Sequence, residues 1–456
     1  MLNFKVFTIL ALFFSGVFQF SFFAKPYSNI KIPDWCRNKT IYEVNLRQFT
    51  PGGSIKEFRE HLPRLKEMGV GILWFMPIHP VGVVNRKGTL GSYYSVKDYK
   101  DIDPTYGTKE DFRALVNEIH SMGMYIIIDW VANHTAWDNP WAQSNPEFYS
   151  KDKEGNFTPP RGTDWSDVIQ LDYSKKEMRL AMTNALEYWV REFDIDGYRC
   201  DVAAMVPTDF WDGVYKKLSA IKPVFMLAEA HEPALHKNAF HMTYAWDTFN
   251  LMKDVAKGKE KPDEFLKKAK KQDMPYPPQG MRMRFTSNHD ENSWNGTEFE
   301  LFGDATLAYS VIAATLPGMH LIYTGQEAGN KKRLAFFEKD PVDWSDLSRA
   351  EFYKKLNLLK SKNSALYNGT KGGSMEHIKH SNGKVITYLR RNGSDAVLVV
   401  VNVTSSSQTT GIKALKGLPE MSDIFSDAKI ALAGDVSVTL QPNEYRIYVF
   451  TKADKK

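Results

Sequence analysis

Short apolar runs alternate with amphipathic stretches from Thr40 to about Asn363, and the alternation repeats eight times. The runs are TIYEVNLRQF, GILWFMPI, MYIIIDW, IDGYRCD, VFMLAE, AFHMTYAW, MRFTSNHD and HLIYTGQE. Short apolar runs of this kind, bounded by polar segments, predict buried strands. Between them the apolar positions recur every three or four residues, the period of a helix. In SIKEFREHLPRLKEMG, Phe58, Leu62 and Leu65 follow that spacing before a glycine stop. In TKEDFRALVNEIHSMG, Thr108 is placed to cap a helix and Asp111 to reach back to it. Eight such units over about 320 residues predict a (β/α)8 barrel. A doubly wound open sheet is the alternative, but no glycine-rich phosphate loop follows any run.

The pattern breaks twice. After the third run, residues from about Ala136 to Ser166 carry Pro140, Pro146, Pro159 and Pro160 with no sustained helical period. A loop this long inside a compact domain is usually functional. From about Gly369 the runs KVITYLRR, AVLVVVNVT, VSVTL and YRIYVF are separated by polar turns, which predicts a C-terminal antiparallel β-domain. The organisation expected is a barrel over 25–134 and 171–364, a short insertion over 135–170 after strand 3, and a C-terminal β-sandwich over 365–456.

Ahead of these lies an export signal over 1–24. Lys5 precedes an apolar run from Val6 to Phe23, and Ala24 is a small residue at which to cleave. This points to a periplasmic or extracellular protein, with an uncleaved N-terminal anchor as the alternative and no other membrane insertion. Two cysteines, Cys36 and Cys200, exclude a disulfide framework. Cys200 reads as a buried thiol out of reach of a surface-proximal Cys36. A net charge of +5 over 456 residues is mild, and Lys267, Lys268, Lys270 and Lys271 read as a solvated helix face. Nucleic acid is therefore not an expected partner. The 11 Trp and 21 Tyr exceed what a core alone needs and suit stacking on a flat ligand. Trp137, Trp141 and Trp165, in or beside the insertion, are candidates for it.

The chemistry lies in four acids, each closing an apolar run: Asp129, Asp201, Glu229 and Asp290. A carboxylate there is costly to bury without a task or partner, and four together predict one acidic pocket at the barrel's C-terminal face. Arg199 and Asp201 are two apart on one strand and share a face, so Arg199 is expected to keep Asp201 ionised, as a nucleophile requires. Glu229 follows Phe225, Met226 and Leu227 and is flanked by Ala228 and Ala230. Apolar surroundings raise a carboxyl pKa, as a proton donor requires. Adjacent strand ends would set the two acids about 5 Å apart, the separation of a retaining glycosidase. His134 and His289 stand near Asp129 and Asp290 and suit hydrogen bonds to a polyol. A metal site is the rival, without a His pair at i, i+4 to support it.

These segments resemble the characteristic regions of the α-amylase family, glycoside hydrolase family 13. DWVANH, GYRCD, MLAEA and FTSNHD match its third-, fourth-, fifth- and seventh-strand regions; ILWFMPI, QLDYS and GMHLIYTGQE match further pieces. The resemblance implies Asp201 as nucleophile, Glu229 as acid/base and Asp290 as transition-state stabiliser. It implies that His134, Arg199 and His289 line the subsite of the cleaved sugar, with Tyr94 stacking on it, and that Asp129 belongs there too, mainly to shape the pocket. The implied activity is retaining hydrolysis of α-1,4-glucosidic bonds in starch-derived glucans or maltooligosaccharides. The alternative is a glucanotransferase, or a hydrolase of cyclodextrins or short dextrins, including α-1,6 action. No cofactor is needed for the chemistry. A structural calcium is admitted by Asn133, which matches one ligand position of the family. Two departures bear on this. The Lys-His pair of many endo-acting members is replaced by Ala204 and Met205, and TPGGSI holds none of the acids of a calcium loop.

Overall fold

A computed structural model describes residues 27–450 apart from Lys416, Pro419 and Asp427, so the expected export signal lies outside the described residues. The eight runs become eight strands: β1 Ile41–Val44, β2 Ile72–Phe75, β3 Tyr125–Trp130, β4 Gly197–Cys200, β5 Phe225–Ala228, β6 Met242–Tyr244, β7 Met281–Arg284 and β8 Met319–Tyr323. All pair in parallel with their sequence neighbours, and β8 returns to β1 to close the barrel. Closure leaves no edge and directs every strand's C-terminal end to one face, where loops can build a site. One glycine is required by that closeness. A Cβ on Gly197, whose φ is 146°, would lie 1.8 Å from the Phe225 carbonyl oxygen across the β4–β5 pair.

The helix over Lys109–Ser121 forms as expected, with a capping box between Thr108 and Asp111. The stretch before β2 does not form one helix. It divides into Ile55–Arg59 and Leu62–Glu67. Pro63 lacks an amide hydrogen and its ring clashes with the carbonyl four residues back, so the helix restarts there. Phe58, Leu62 and Leu65 remain fully buried across the break.

The insertion is anchored by two short strands, His134–Ala136 and Val168–Gln170, paired antiparallel. Between them stand a helix over Pro140–Ser144 and a helical turn over Pro146–Phe148. At the C-terminal end, strands Val385–Asn392 and Asp395–Asn402 lie inside a six-stranded antiparallel sheet, beside a two-stranded one. Asp395–Asn402 is apolar on both faces for a reason. Val397, Val399 and Val401 join the barrel core, while Leu398 and Val400 join the small domain's own core. Alternating residues of one strand thus fasten two cores. Among the described residues no helix is long and apolar enough to cross a membrane. Cys36 proves fully buried rather than near the surface, and burial pushes its thiol up to about 12; Cys200 is buried too and both are free.

Candidate active site

The organising group is Arg199, in the middle of β4 with none of its side chain exposed. Its Nη1 donates to Asp129 at 2.9 Å and to Asp201 at 3.0 Å, and its Nε donates to the Tyr244 hydroxyl at 3.1 Å. Its Nη2 lies 3.0 Å from Glu229 Oε1 as an ion pair, without hydrogen-bond alignment. The rings of Trp74, Tyr94 and Tyr244 pack around the guanidinium with centroids 5.2–5.8 Å away. One buried cation therefore meets three carboxyls, one on β3 and the others just beyond the ends of β4 and β5.

This corrects two expectations. Arg199 does not single out Asp201, because it touches Asp129 and Glu229 as well. Nor do Asp129 and Arg199 line the sugar site. Both are fully buried, and Asp129 is filled by Arg199, the Tyr94 hydroxyl at 3.1 Å and the Trp74 indole at 3.3 Å. They form the floor that holds the lining residues in place.

The lining itself is a cleft of about 470 Å³ that includes Tyr94, His134, Asp201, Glu229, His289 and Asp290. Asp201 and Glu229 expose 10% and 16% of their side chains, enough for one oxygen each to meet a ligand. Burial pushes both carboxyls up; the charge of Glu229 adds to the shift on Asp201, and Arg199 opposes the shift on each. Val202, at φ 35°, is a β-branched residue in the left-handed region, a costly conformation that turns its N–H onto Glu229 Oε2 at 2.7 Å. Asp290 lies in the loop beyond β7 rather than on the strand, at the head of a helical turn over Glu291–Asn295. It is one-third exposed and 3.4 Å from His289 Nε2.

The two histidines differ. Burial pushes His134 down to about 3, so it is neutral. Burial also works against a charge on His289, but Asp290 and Glu43 outweigh it, and the ring titrates at about 9. Glu43, from the middle of β1, is fully buried and bonded to His289 Nδ1, while Tyr94 meets Nε2 at 2.7 Å. A histidine raised from about 6.5 stabilises the fold fully below that pH, and the contribution is lost as pH rises through 9. Wild type should therefore exceed His289→Gln in stability by on the order of 3 kcal/mol near pH 6. In denaturant melts the gap should narrow steeply toward about pH 10; a gap independent of pH would show a neutral ring.

Glu43, Trp74, Tyr244 and Val202 were not anticipated. Glu43 carried a usable signal, an acid inside the apolar run TIYEVNLRQF, although the cue that marked Asp129 was an acid at the end of a run. Of the three tryptophans singled out, Trp165 lines the cleft and tilts toward His134 at 5.4 Å. Trp137 instead donates to Ser166 O, and Trp141 packs on Tyr99 and Phe148.

The side chain of Asn133, the position that admits a structural calcium, is engaged by protein groups. Its Oδ1 accepts from Gln170 Nε2 at 2.9 Å, and its Nδ2 lies 3.2 Å from His134 Nδ1. The carbonyls of Val131, Ala132 and His134 accept from the Tyr99 and Tyr173 hydroxyls, so protein donors already tie the insertion down. Among the described residues no three His, Cys, Asp or Glu side chains gather as a metal group. An ion present at 100 times its Kd would contribute about 2.7 kcal/mol that a chelator removes. The expected outcome is a melting temperature and hydrolysis rate unchanged by EDTA; a drop in both would restore the calcium.

Comparison with known proteins gives the family and the fold. The model of the α-amylase catalytic domain matches residues 33–166 and 162–365. A noncanonic maltogenic α-amylase, AmyB of Thermotoga neapolitana, superposes with a TM-score of 0.82 at 32% identity, over 91% of this chain and 99% of that one. An α-amylase from Lactobacillus plantarum gives 0.80 at 30% identity, over 91% and 100%. α-Amylase 2 of Dictyoglomus thermophilum is 26% identical over 425 residues, 83% of this chain and 72% of the relative. With its catalytic-domain model matched over most of its length, the chain belongs to the α-amylase family, a family of glycoside hydrolases.

Proposed function

We propose that the protein hydrolyses α-1,4-glucosidic bonds of starch-derived glucans by double displacement, with Asp201 as nucleophile, Glu229 as acid/base and Asp290 as stabiliser. The observation that carries this is the pair of carboxyls flanking one guanidinium, each 3.0 Å from one of its terminal nitrogens. Such proximity favours the retaining class, at about 5 Å between carboxyls, over the inverting class at about 6.5–9.5 Å. Arg199 donates an aligned hydrogen bond to Asp201, which favours its anion. Its contact with Glu229 Oε1 is unaligned and holds that anion less strongly, which favours Glu229 as the member of the pair that carries the proton.

With a sugar bound, Glu229 gives this proton to the glycosidic oxygen as Asp201 attacks the anomeric carbon. The bond to the leaving chain breaks and a glucosyl–Asp201 ester forms. Glu229, now a carboxylate, takes a proton from water, which attacks the ester and frees Asp201. Asp290 faces the positive charge that develops on the ring between these steps. Double displacement releases the α-anomer, and proton NMR of fresh products from maltoheptaose tests this; initial β-anomer would exclude it.

Ala204 and Met205, which stand where many endo-acting members carry a Lys-His pair, favour a second reading, transfer to a sugar acceptor. Chromatographic products longer than maltoheptaose would establish it. Export is part of the proposal and rests on the apolar run after Lys5; activity confined to the cytoplasm of producing cells would exclude it.

A further inference from the structure

We infer that this cleft is walled off on the side of the non-reducing sugars, so that the protein acts on chain ends and releases short products of fixed length. This rests on the catalytic reading above, which sets the direction of the chain. The sugar being cleaved lies against Tyr94, His289 and Asp290, with its leaving oxygen at Glu229. Units toward the non-reducing end therefore run past Tyr94, and what stands there is a barrier.

Three loops and the insertion build it. Phe336, in the loop after β8, stacks beyond Tyr94 with rings 13° apart and centroids at 6.2 Å. Trp294, in the loop after β7, tilts on Phe336 at 5.2 Å and meets Phe337 at 5.8 Å. These two loops are pinned together: Ser293 Oγ donates to Leu334 O at 2.8 Å, and Leu334 N donates to Asn292 Oδ1 at 2.8 Å. The loop after β2 joins next, with Leu90 N donating to Phe337 O at 3.0 Å and Thr89 N to Glu338 Oε1 at 2.7 Å. From that loop Lys87 reaches across to the insertion. Its Nζ donates to Asp164 O at 3.0 Å and lies 3.3 Å from Asp167, which is nearly buried. The contacts run unbroken from Trp294 to Asp167, and Lys87, Asp164, Asp167, Trp294, Phe336 and Phe337 all face the cleft.

The opposite side is different. Among the described residues, the segments after β4, β5 and β6 contribute to the lining only Asp201, Val202 and Glu229. Within the cleft that side holds no counterpart to the wall against a leaving chain. A long polymer can therefore enter only with its non-reducing end against the wall. Trp294, about half exposed, presents its ring to the terminal sugars.

The test compares p-nitrophenyl maltoheptaoside with the same substrate carrying a 4,6-O-ethylidene group on its non-reducing glucose. The intact substrate should be cut at least about tenfold faster, since the block costs the end sugar its contacts at the wall. Lys87→Ala and Trp294→Ala open the wall at one part-buried and one exposed position, both outside the hydrophobic core. Either should narrow the discrimination about tenfold and lengthen the products seen by chromatography. Equal rates on the two substrates with wild type, or products unchanged in both variants, would overturn the wall while leaving the catalytic reading intact. Hydrolysis of neither substrate would overturn the catalytic reading, and the wall with it.

Discussion

Asp201→Asn is expected to abolish hydrolysis while making the protein more stable. Loss of a nucleophile that also forms the intermediate should cut kcat by at least about 10⁴-fold. The stability change has the opposite sign to that of most buried substitutions. Burial and the charge of Glu229 push the Asp201 carboxyl well up, so its ionised form is held in the fold at a cost. An acid raised in the native state contributes stability when protonated, and that contribution is lost as pH rises through its folded pKa. The neutral amide is nearly isosteric and does not incur this loss. Melting curves at pH 7 should therefore place Asp201→Asn above wild type, and the two should converge in acid. A variant that melts lower at pH 7 and keeps its activity would refute both halves.

Arg199→Met has the second large effect, and here stability and activity fall together. The side chain is wholly buried and is the shared cation of Asp129, Asp201 and Glu229. Removing one member of a buried ionic cluster leaves the others uncompensated, at about 3–5 kcal/mol. The loss should shrink at low pH as the acids take up protons. Arg199→Met with Asp129→Asn should recover part of it, because the deepest of the unpaired charges is gone. Additive losses in that double-mutant cycle would mean that Arg199 acts by packing alone. For activity, loss of the group that fixes both reacting carboxyls should lower kcat by about 10³-fold.

Local pattern made the barrel legible. Each strand is a short apolar run between polar segments, and all eight runs took their places in sequence order. Pro63 shows the limit of periodicity alone: the apolar spacing of Phe58, Leu62 and Leu65 persists through a break that the proline imposes. In the C-terminal domain the long strands were readable, whereas Lys429–Ile430 and Met421–Asp423 are too short to show a period. At the site, strand-end acids and the Arg199–Asp201 spacing were visible, because two-residue spacing fixes a shared face. What Arg199 touches was not, since its partners arrive from β3, β5 and β6 in three dimensions. The same holds for the wall. Lys87 and Asp167 are 80 residues apart in sequence, and Trp294 and Phe336 meet only because β7 and β8 are neighbours.

A covalent trap most directly tests the central assignment. A fluorinated glucosyl fluoride forms the glycosyl–enzyme quickly and releases it slowly, so the intermediate accumulates for peptide mass spectrometry. One glucosyl-type adduct on the peptide containing Asp201, absent from Asp201→Asn, is the result predicted. An adduct on Glu229, Asp290 or elsewhere, or steady turnover of α-glucans with no adduct, would contradict it.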